Sequence, residues 1–235
     1  MSIRGILFDK DGTLIEVNDT WLPIYRRMLA DLFDTGEEGI NILLERAGWD
    51  RTTDTFKPGS ILAAGTTRQL ASIWWPELDG SALAEKIHIL DHDYAHLIKV
   101  ALKPLMALEP IFTELKAMGM RLGVATNDSH VSATNHLTHI GIIEHLDEII
   151  AADTVEVPKP SGSMIRRFAE ITGLATAEIA MVGDNSHDME EARSGGAGLA
   201  IAVLSGNAKH HHIAHLADHT IASVAELPAL LRSLS

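Results

Sequence analysis

The stretch Phe8-Asp9-Lys10-Asp11-Gly12-Thr13-Leu14 constrains this 235-residue chain more than any other. Ile3 to Phe8 is a short apolar run, with the length and composition of a buried strand. Two carboxylates follow, two residues apart. In extended backbone, residues i and i+2 point to the same side. If the strand runs on through them, Asp9 and Asp11 face one small volume, and Gly12 lets the chain turn away. Two carboxylates ~4 Å apart repel by roughly 4 kcal/mol at an effective dielectric near 20. A shared proton, a basic side chain or a divalent cation must offset that. The same residues also describe an ordinary Asp-Gly turn with both acids in water. By strand alternation Lys10 points away from such a site, which predicts solvation or a surface ion pair.

The chain after Asp11 reads as helical for about eighty residues. Asn18 and Asp19 are placed to cap a helix carrying Trp21, Leu22, Ile24, Tyr25, Met28, Leu29 and Phe33, ended by Gly36. Ile40 to Ala47, Ser60 to Ala64, Thr66 to Trp75 and Ser81 to Lys99 supply further helices, punctuated by glycines and prolines. No strand pattern interrupts this block, so it is expected to be all-helical. From about Leu102 the pattern alternates. Strands are expected at Met120 to Ala125, Glu148 to Ala152, Glu178 to Val182, Leu199 to Leu204 and Thr220 to Ala222, with helices between them. Such alternation implies βαβ units and a parallel sheet, which Ile3 to Phe8 would join from across the helical block.

Open parallel sheets bind ligands at the carboxyl ends of their strands. Asp9 and Asp11 follow the first strand, Thr126 and Asn127 the second. Gly183-Asp184-Asn185-Ser186-His187-Asp188 follows Glu178 to Val182, and the loop after Glu148 to Ala152 leads to Pro158-Lys159-Pro160. Taken singly, each has an ordinary reading: a helix cap at Thr126-Asn127, a solvated loop charge at Lys159, a turn at Gly183-Asp184. Together they bring carboxylates, a hydroxyl and an ammonium to one mouth. That set suits a hard cation such as Mg²⁺ with oxygen ligands, and phosphoryl transfer needs such charge neutralisation.

The net charge of −13 argues against generic binding to nucleic acid or an anionic membrane. It leaves room for a small anionic substrate, because a cation and a lysine invert the field locally. The chain has no cysteine, hence no disulfide, thiolate metal site or Cys nucleophile. The N-terminus enters a strand pattern without a signal-peptide layout, and no run reaches the ~18 apolar residues of a membrane span. A cytoplasmic location is therefore expected.

In these motifs and their order the chain resembles the haloacid dehalogenase superfamily, in particular its phosphoglycolate phosphatase-like branch. Asp9-x-Asp11-Gly12-Thr13, Thr126, Lys159 and Gly183-Asp184-x-x-x-Asp188 match the four motifs of that family. The resemblance implies an α/β fold: a Rossmann-like parallel sheet core with helices on both faces, residues 1–15 and 100–235, plus an inserted all-helical cap, residues 16–99. It implies Asp9 as a nucleophile forming an aspartyl-phosphate and Asp11 as general acid/base. Thr126, Asn127 (through its backbone amide) and Lys159 would hold the phosphoryl group. Mg²⁺ would be bound by Asp9, Asp184 and the backbone carbonyl of Asp11, supported by Asp188. An acid at Asp11 distinguishes the chain from the family's pumps and dehalogenases and favours rapid ester turnover.

The expected activity is therefore hydrolysis of small phosphorylated metabolites, 2-phosphoglycolate first, by a monomer or homodimer. The alternatives are a sugar-phosphate mutase of the same fold and a non-catalytic scaffold that binds a partner through the cap. Other features read as ordinary. Lys209-His210-His211-His212 is expected in a surface loop, Asp91-His92-Asp93 solvated on a cap helix, and Trp74-Trp75 packed within the cap. Gly195-Gly196-Ala197-Gly198 lacks the strand and helix of a dinucleotide loop.

Overall fold

A computed structural model describes residues 2–97 and 102–234, with side chains given for 2–91 and 102–234. The chain opens with β1 (Gly5–Phe8). It continues through α1 (Asn18–Leu32), α2 (Glu37–Ala47), β2 (Trp49–Asp50), β3 (Thr55–Phe56), α3 (Ile61–Ala64), α4 (Thr67–Trp74) and α5 (Gly80–Leu97). Then come α6 (Glu109–Ala117), β4 (Arg121–Thr126), α7 (His130–His139), β5 (Glu148–Ala151) and α8 (Ser163–Thr172). The remainder is β6 (Ile179–Gly183), α9 (Ser186–Gly195), β7 (Leu199–Val203), α10 (His210–Ile213), β8 (His219–Ile221) and α11 (Leu227–Ser233).

Six strands form one parallel sheet in the order β5-β4-β1-β6-β7-β8. β1 lies at its centre although it comes first in sequence. Phe8 pairs with Val124 on one side and Val182 on the other, and the Asp9 amide extends the ladder by donating to the Val182 carbonyl at 2.7 Å. The sheet is covered on both faces, so its strands read as continuous apolar runs. Ile6, Phe8, Val124 and Val182 pack with Phe112 and Leu115 of α6, Leu137 of α7 and Leu231 of α11. On the other face Leu7, Ala125 and Met181 pack with Ile165 and Phe168 of α8 and Met189 of α9.

The elements from α1 to α5 are inserted between β1 and the rest of the sheet. Where this block joins the core, the entering and leaving segments run side by side: the Glu16 amide donates to the Lys103 carbonyl at 2.9 Å, and the Leu105 amide to that of Leu14 at 3.0 Å. The expected boundary at residues 99 and 100 lies outside the described residues. The block is helical except for one short antiparallel ladder, β2–β3. Two-residue strands carry no alternation to read. Their turn is local: the Asp50 carboxylate accepts from the Thr52 amide at 2.9 Å, and Asp54, at φ 54°, accepts from the Trp49 indole at 3.0 Å.

Asn18 does not cap α1. Its carbonyl oxygen accepts from the Phe56 amide at 3.0 Å and its amide group donates to Asn207 at 2.8 Å, tying the ladder to the core. The Glu16 carboxylate takes the capping role, accepting from the amides of Asn18 at 3.1 Å and Asp19 at 2.6 Å. Among the described residues no helix is long and apolar enough to cross a membrane.

Phe112 is fully buried, with its ring centroid 5.0 Å from that of Phe8. Phe112→Ala should therefore lower the unfolding free energy by about 3–5 kcal/mol, measured by urea denaturation.

Candidate active site

Asp9, Asp184 and Asp188 converge at the carboxyl ends of β1 and β6, with one ligand atom from each within 4.8 Å of the others. All three are buried. Asp188 lies in the first turn of α9 and accepts from the Asn185 amide at 3.0 Å, a favourable place for a carboxylate at a helix N-terminus. Asp184 accepts from the Asn207 amide at 3.2 Å. Two glycines press on it. Gly12, at φ +86°, leaves no room for a side chain, since a Cβ there would lie 2.6 Å from the Asp184 carboxyl carbon. A Cβ on Gly206 would overlap the same carboxylate.

Lys159 enters this cluster from the loop after β5. Its ammonium donates to Asp9 Oδ1 at 2.5 Å and to Asp188 Oδ1 at 2.7 Å. The Asn127 side chain holds the lysine's backbone, accepting from its amide at 3.1 Å and donating to its carbonyl at 3.3 Å. The same Asn127 amide group donates to the Ala64 carbonyl of the inserted block at 2.9 Å. Beyond the lysine, buried Glu191 of α9 accepts from the amides of Gly162 at 2.5 Å, Met164 at 2.8 Å and Ile165 at 3.2 Å. One carboxylate thus fixes the loop carrying Lys159 to the helix carrying Asp188. Thr126 is buried beside Asn127 and its hydroxyl accepts from the Asp128 amide at 3.1 Å.

The charges set the proton affinities. Burial, then Asp188, pushes Asp9 up to about 7 against the pull of Lys159. Burial, then Asp9, raises Asp184 well above the usual carboxylate range. For Lys159, burial favours the neutral amine, but Asp188 and Asp9 outweigh it and hold the ammonium charged.

Asp11 does not join the three-carboxylate cluster through its side chain. Its Oδ1 accepts from the Trp21 indole at 2.7 Å and its Oδ2 from Lys10 at 2.5 Å. Lys10 is neither solvated nor at the surface. It is fully buried, with its ammonium also 3.1 Å from His136 Nδ1 and 3.3 Å from Asp128 Oδ2. Strand alternation fails here because β1 stops at Phe8. Residues 10–15 form a tight loop in which the Lys10 carbonyl accepts from the amides of Leu14 and Ile15, and the lysine turns inward.

A cleft of about 70 Å³ opens over these groups. Asp9, Asp11, Thr126, Asn127, Lys159, Asp184 and Asp188 all line it, so the structure brings every site residue read from the sequence to one cavity. The inserted block supplies the opposite wall, including Trp21, Tyr25, Leu62 and Leu70. Sequence reasoning missed Lys10, Asp128, His136, Glu191 and Asn207. Each has at least one partner from a distant segment, and none carries a local pattern.

Two further expectations change. Asp91 is half-buried rather than solvated: it accepts from the Thr67 hydroxyl at 2.8 Å, and burial pushes it up to about 6. The side chains of His92 and Asp93 lie outside the described residues. His210–Ile213 is a short helix instead of a loop, with His210, His211 and His212 exposed and Ile213 buried. Trp74 and Trp75 do pack inside the block, Trp75 stacking on Phe33 at 4.8 Å.

The haloacid dehalogenase-like hydrolase profile matches residues 3–196. The chain belongs to this hydrolase family. It is 27% identical over 202 residues to a pyrophosphatase, PpaX, of Halalkalibacterium halodurans, covering 86% of this chain and 84% of that one. It is 28% identical over 200 residues to a phosphoglycolate phosphatase of Xylella fastidiosa, covering 85% and 80%. In fold it matches the crystal structure of a predicted phosphoglycolate phosphatase from Haemophilus somnus with a TM-score of 0.74, at 18% identity and 98% coverage of both chains.

The donor set of the hydrolase fits a divalent metal. Three buried carboxylates supply hard oxygen ligands. Burial and mutual repulsion raise two of them despite Lys159, and a bound dication relieves both effects.

Two outcomes follow. Glu191→Gln keeps the size of the side chain but weakens the anchorage of three amides. It should cost about 2–3 kcal/mol in urea denaturation and lower turnover by loosening Lys159. The second concerns pH. With Asp9 raised from 3.8 to about 7 and Asp184 raised as well, the folded metal-free protein holds more protons than the unfolded chain between these values. Its stability should fall as pH rises from about 4 to about 7, by a few kcal/mol. Denaturation in EDTA across that range checks the sign, and Asp9→Asn should flatten the slope.

Proposed function

We propose that this hydrolase is a Mg²⁺-dependent phosphatase of small phosphorylated metabolites, working through an aspartyl-phosphate on Asp9. The observation that carries the reading is the Lys159 ammonium held between Asp9 and Asp188 at the mouth of a small cleft. A lysine so placed serves both to keep a carboxylate nucleophile ionised and to receive the oxygens of a phosphoryl group.

In this mechanism Asp9 attacks phosphorus and the bond to the alkyl oxygen breaks. Asp11 gives its proton to the departing alkoxide. Asp11 then takes a proton from water, which attacks the phosphorylated Asp9, releases inorganic phosphate and restores the carboxylate. Lys159, the Thr126 hydroxyl and the Asn127 backbone amide hold the equatorial oxygens. Asp9, Asp184 and the Asp11 backbone carbonyl, with Asp188, are the residues that would hold Mg²⁺, which when bound neutralises charge on the phosphoryl oxygens.

Residues 16–99 act as the cap. The hydrogen bond from Asn127 to Ala64 and the block residues lining the cleft support a block that closes over the phosphoryl group and excludes water. The names of the relatives make 2-phosphoglycolate and pyrophosphate the first substrates to assay.

A screen of phosphorylated metabolites with Mg²⁺ should release free phosphate from at least one small ester. EDTA should abolish activity, Mg²⁺ should restore it, and Ca²⁺ should inhibit, its larger and looser coordination shell serving poorly. Full activity in EDTA would sink the mechanism. Isomer formation from a bisphosphate-activated protein, without net phosphate release, would replace the phosphatase with a mutase. Lys159→Ala should cost about 10²-fold or more in turnover. Asp9→Asn should abolish both turnover and labelling of the protein from substrate phosphate.

A further inference from the structure

Asp11 is held at both oxygens by groups that no motif of this chain announces. The Trp21 indole donates to Oδ1 at 2.7 Å, and Lys10 to Oδ2 at 2.5 Å. Lys10 is fully buried, and its remaining partners come from the segment after β4: His136 Nδ1 at 3.1 Å and Asp128 Oδ2 at 3.3 Å. An ammonium has three donors and no acceptor, so His136 accepts at Nδ1. Its proton is then on Nε2, 3.1 Å from the Ser132 hydroxyl. Burial, then Lys10, drives His136 down to about 2 and keeps it neutral. The Trp21 ring closes the group, its centroid 5.1 Å from the ammonium and 5.5 Å from the His136 ring. Asp11, Trp21 and Asp128 line the cleft, and Lys10 lies behind them.

We propose that Lys10 and Trp21 are positioning residues for Asp11, fixing its carboxylate at the edge of the cleft, and that Trp21 makes this placement depend on how the inserted block seats against the core. The proposal rests on the acid/base reading of Asp11. A carboxylate has roughly four lone-pair sites, so Oδ1 keeps one for the transferred proton while it accepts from Trp21. A side chain bonded at both oxygens loses its freedom to rotate. Proton transfer is sensitive to placement, where an error of about 1 Å costs up to about 10²-fold. Lys10 comes from the loop after β1, while Trp21 comes from α1, so Asp11 is gripped from both sides of the junction between core and block.

The test measures single-turnover bursts with an alkyl phosphate and with p-nitrophenyl phosphate, whose nitrophenolate leaves without needing a proton. Lys10→Met and Trp21→Phe should each slow the alkyl burst relative to the nitrophenyl burst, by on the order of tenfold, while label still appears on Asp9. In an Asp11→Asn background neither variant should change that ratio further, because the group they position is gone. Equal slowing of both esters would overturn the proposal, as would a ratio that still responds in the Asp11→Asn background. Should Lys10→Met fail to fold, Trp21→Phe decides alone, since it removes one N–H and keeps an aromatic ring; an unchanged ratio then overturns the proposal. Asp11→Asn by itself separates the parent reading. If it slows both bursts equally, Asp11 is not the acid, and the positioning proposal falls with it.

Discussion

Mutual repulsion among carboxylates at the ends of three adjacent strands is the constraint around which this molecule is arranged. Asp9, Asp11, Asp128, Asp184 and Asp188 all line one cleft, and charges this close in a protein interior are costly unless paired. Two buried lysines divide them. Lys159 takes Asp9 and Asp188, and Lys10 takes Asp11 and Asp128. Asp184 accepts from a backbone amide instead. In the proposed mechanism the division separates two chemical tasks: one lysine serves the carboxylate that would attack, the other the carboxylate that would move protons.

The parallel sheet makes this crowding possible. With β1 between β4 and β6, the ends of three strands deliver Asp9, Thr126 and Asp184 to one side. The apolar residues behind them are buried on both faces, so a slip in register would disrupt close packing on both sides of the sheet. The position of the acids is therefore inherited from the packing of Phe8, Val124 and Val182. Polar groups add the finer placement, through Asn127 on the Lys159 backbone and Asn207 on Asp184.

The sheet, its helices and the convergence of the site residues were legible because Asp9, Asp11, Thr126, Asn127 and Asp184 lie just beyond apolar strand patterns, while Lys159 and Asp188 lie in the segments that follow such strands. What was not legible depended on long-range contact. Lys10 was misread by extending strand alternation past Phe8 into a loop. His136 and Glu191 are polar residues on ordinary helix patterns until the fold brings Lys10 to one and the Gly162 turn to the other. Asn18 has every local mark of a helix cap, yet its side chain is taken by Phe56 and Asn207. The β2–β3 ladder is too short for periodicity and is specified by its turn.

The first two turns of α9 carry a metric role. Asp188 and Glu191 are three residues apart, so about 4.5 Å of helical rise separates them on one face. The first grips the Lys159 ammonium and the second grips the backbone that follows Lys159. A rigid ruler of helix thus sets the reach of the lysine toward Asp9. Substitutions on the outer face of α9 leave that ruler intact. Inserting or deleting a single residue between Asp188 and Glu191 does not: each residue turns the helix by about 100°, and the two carboxylates would no longer face the same loop. Length, more than composition, is what this segment must conserve as the sequence drifts.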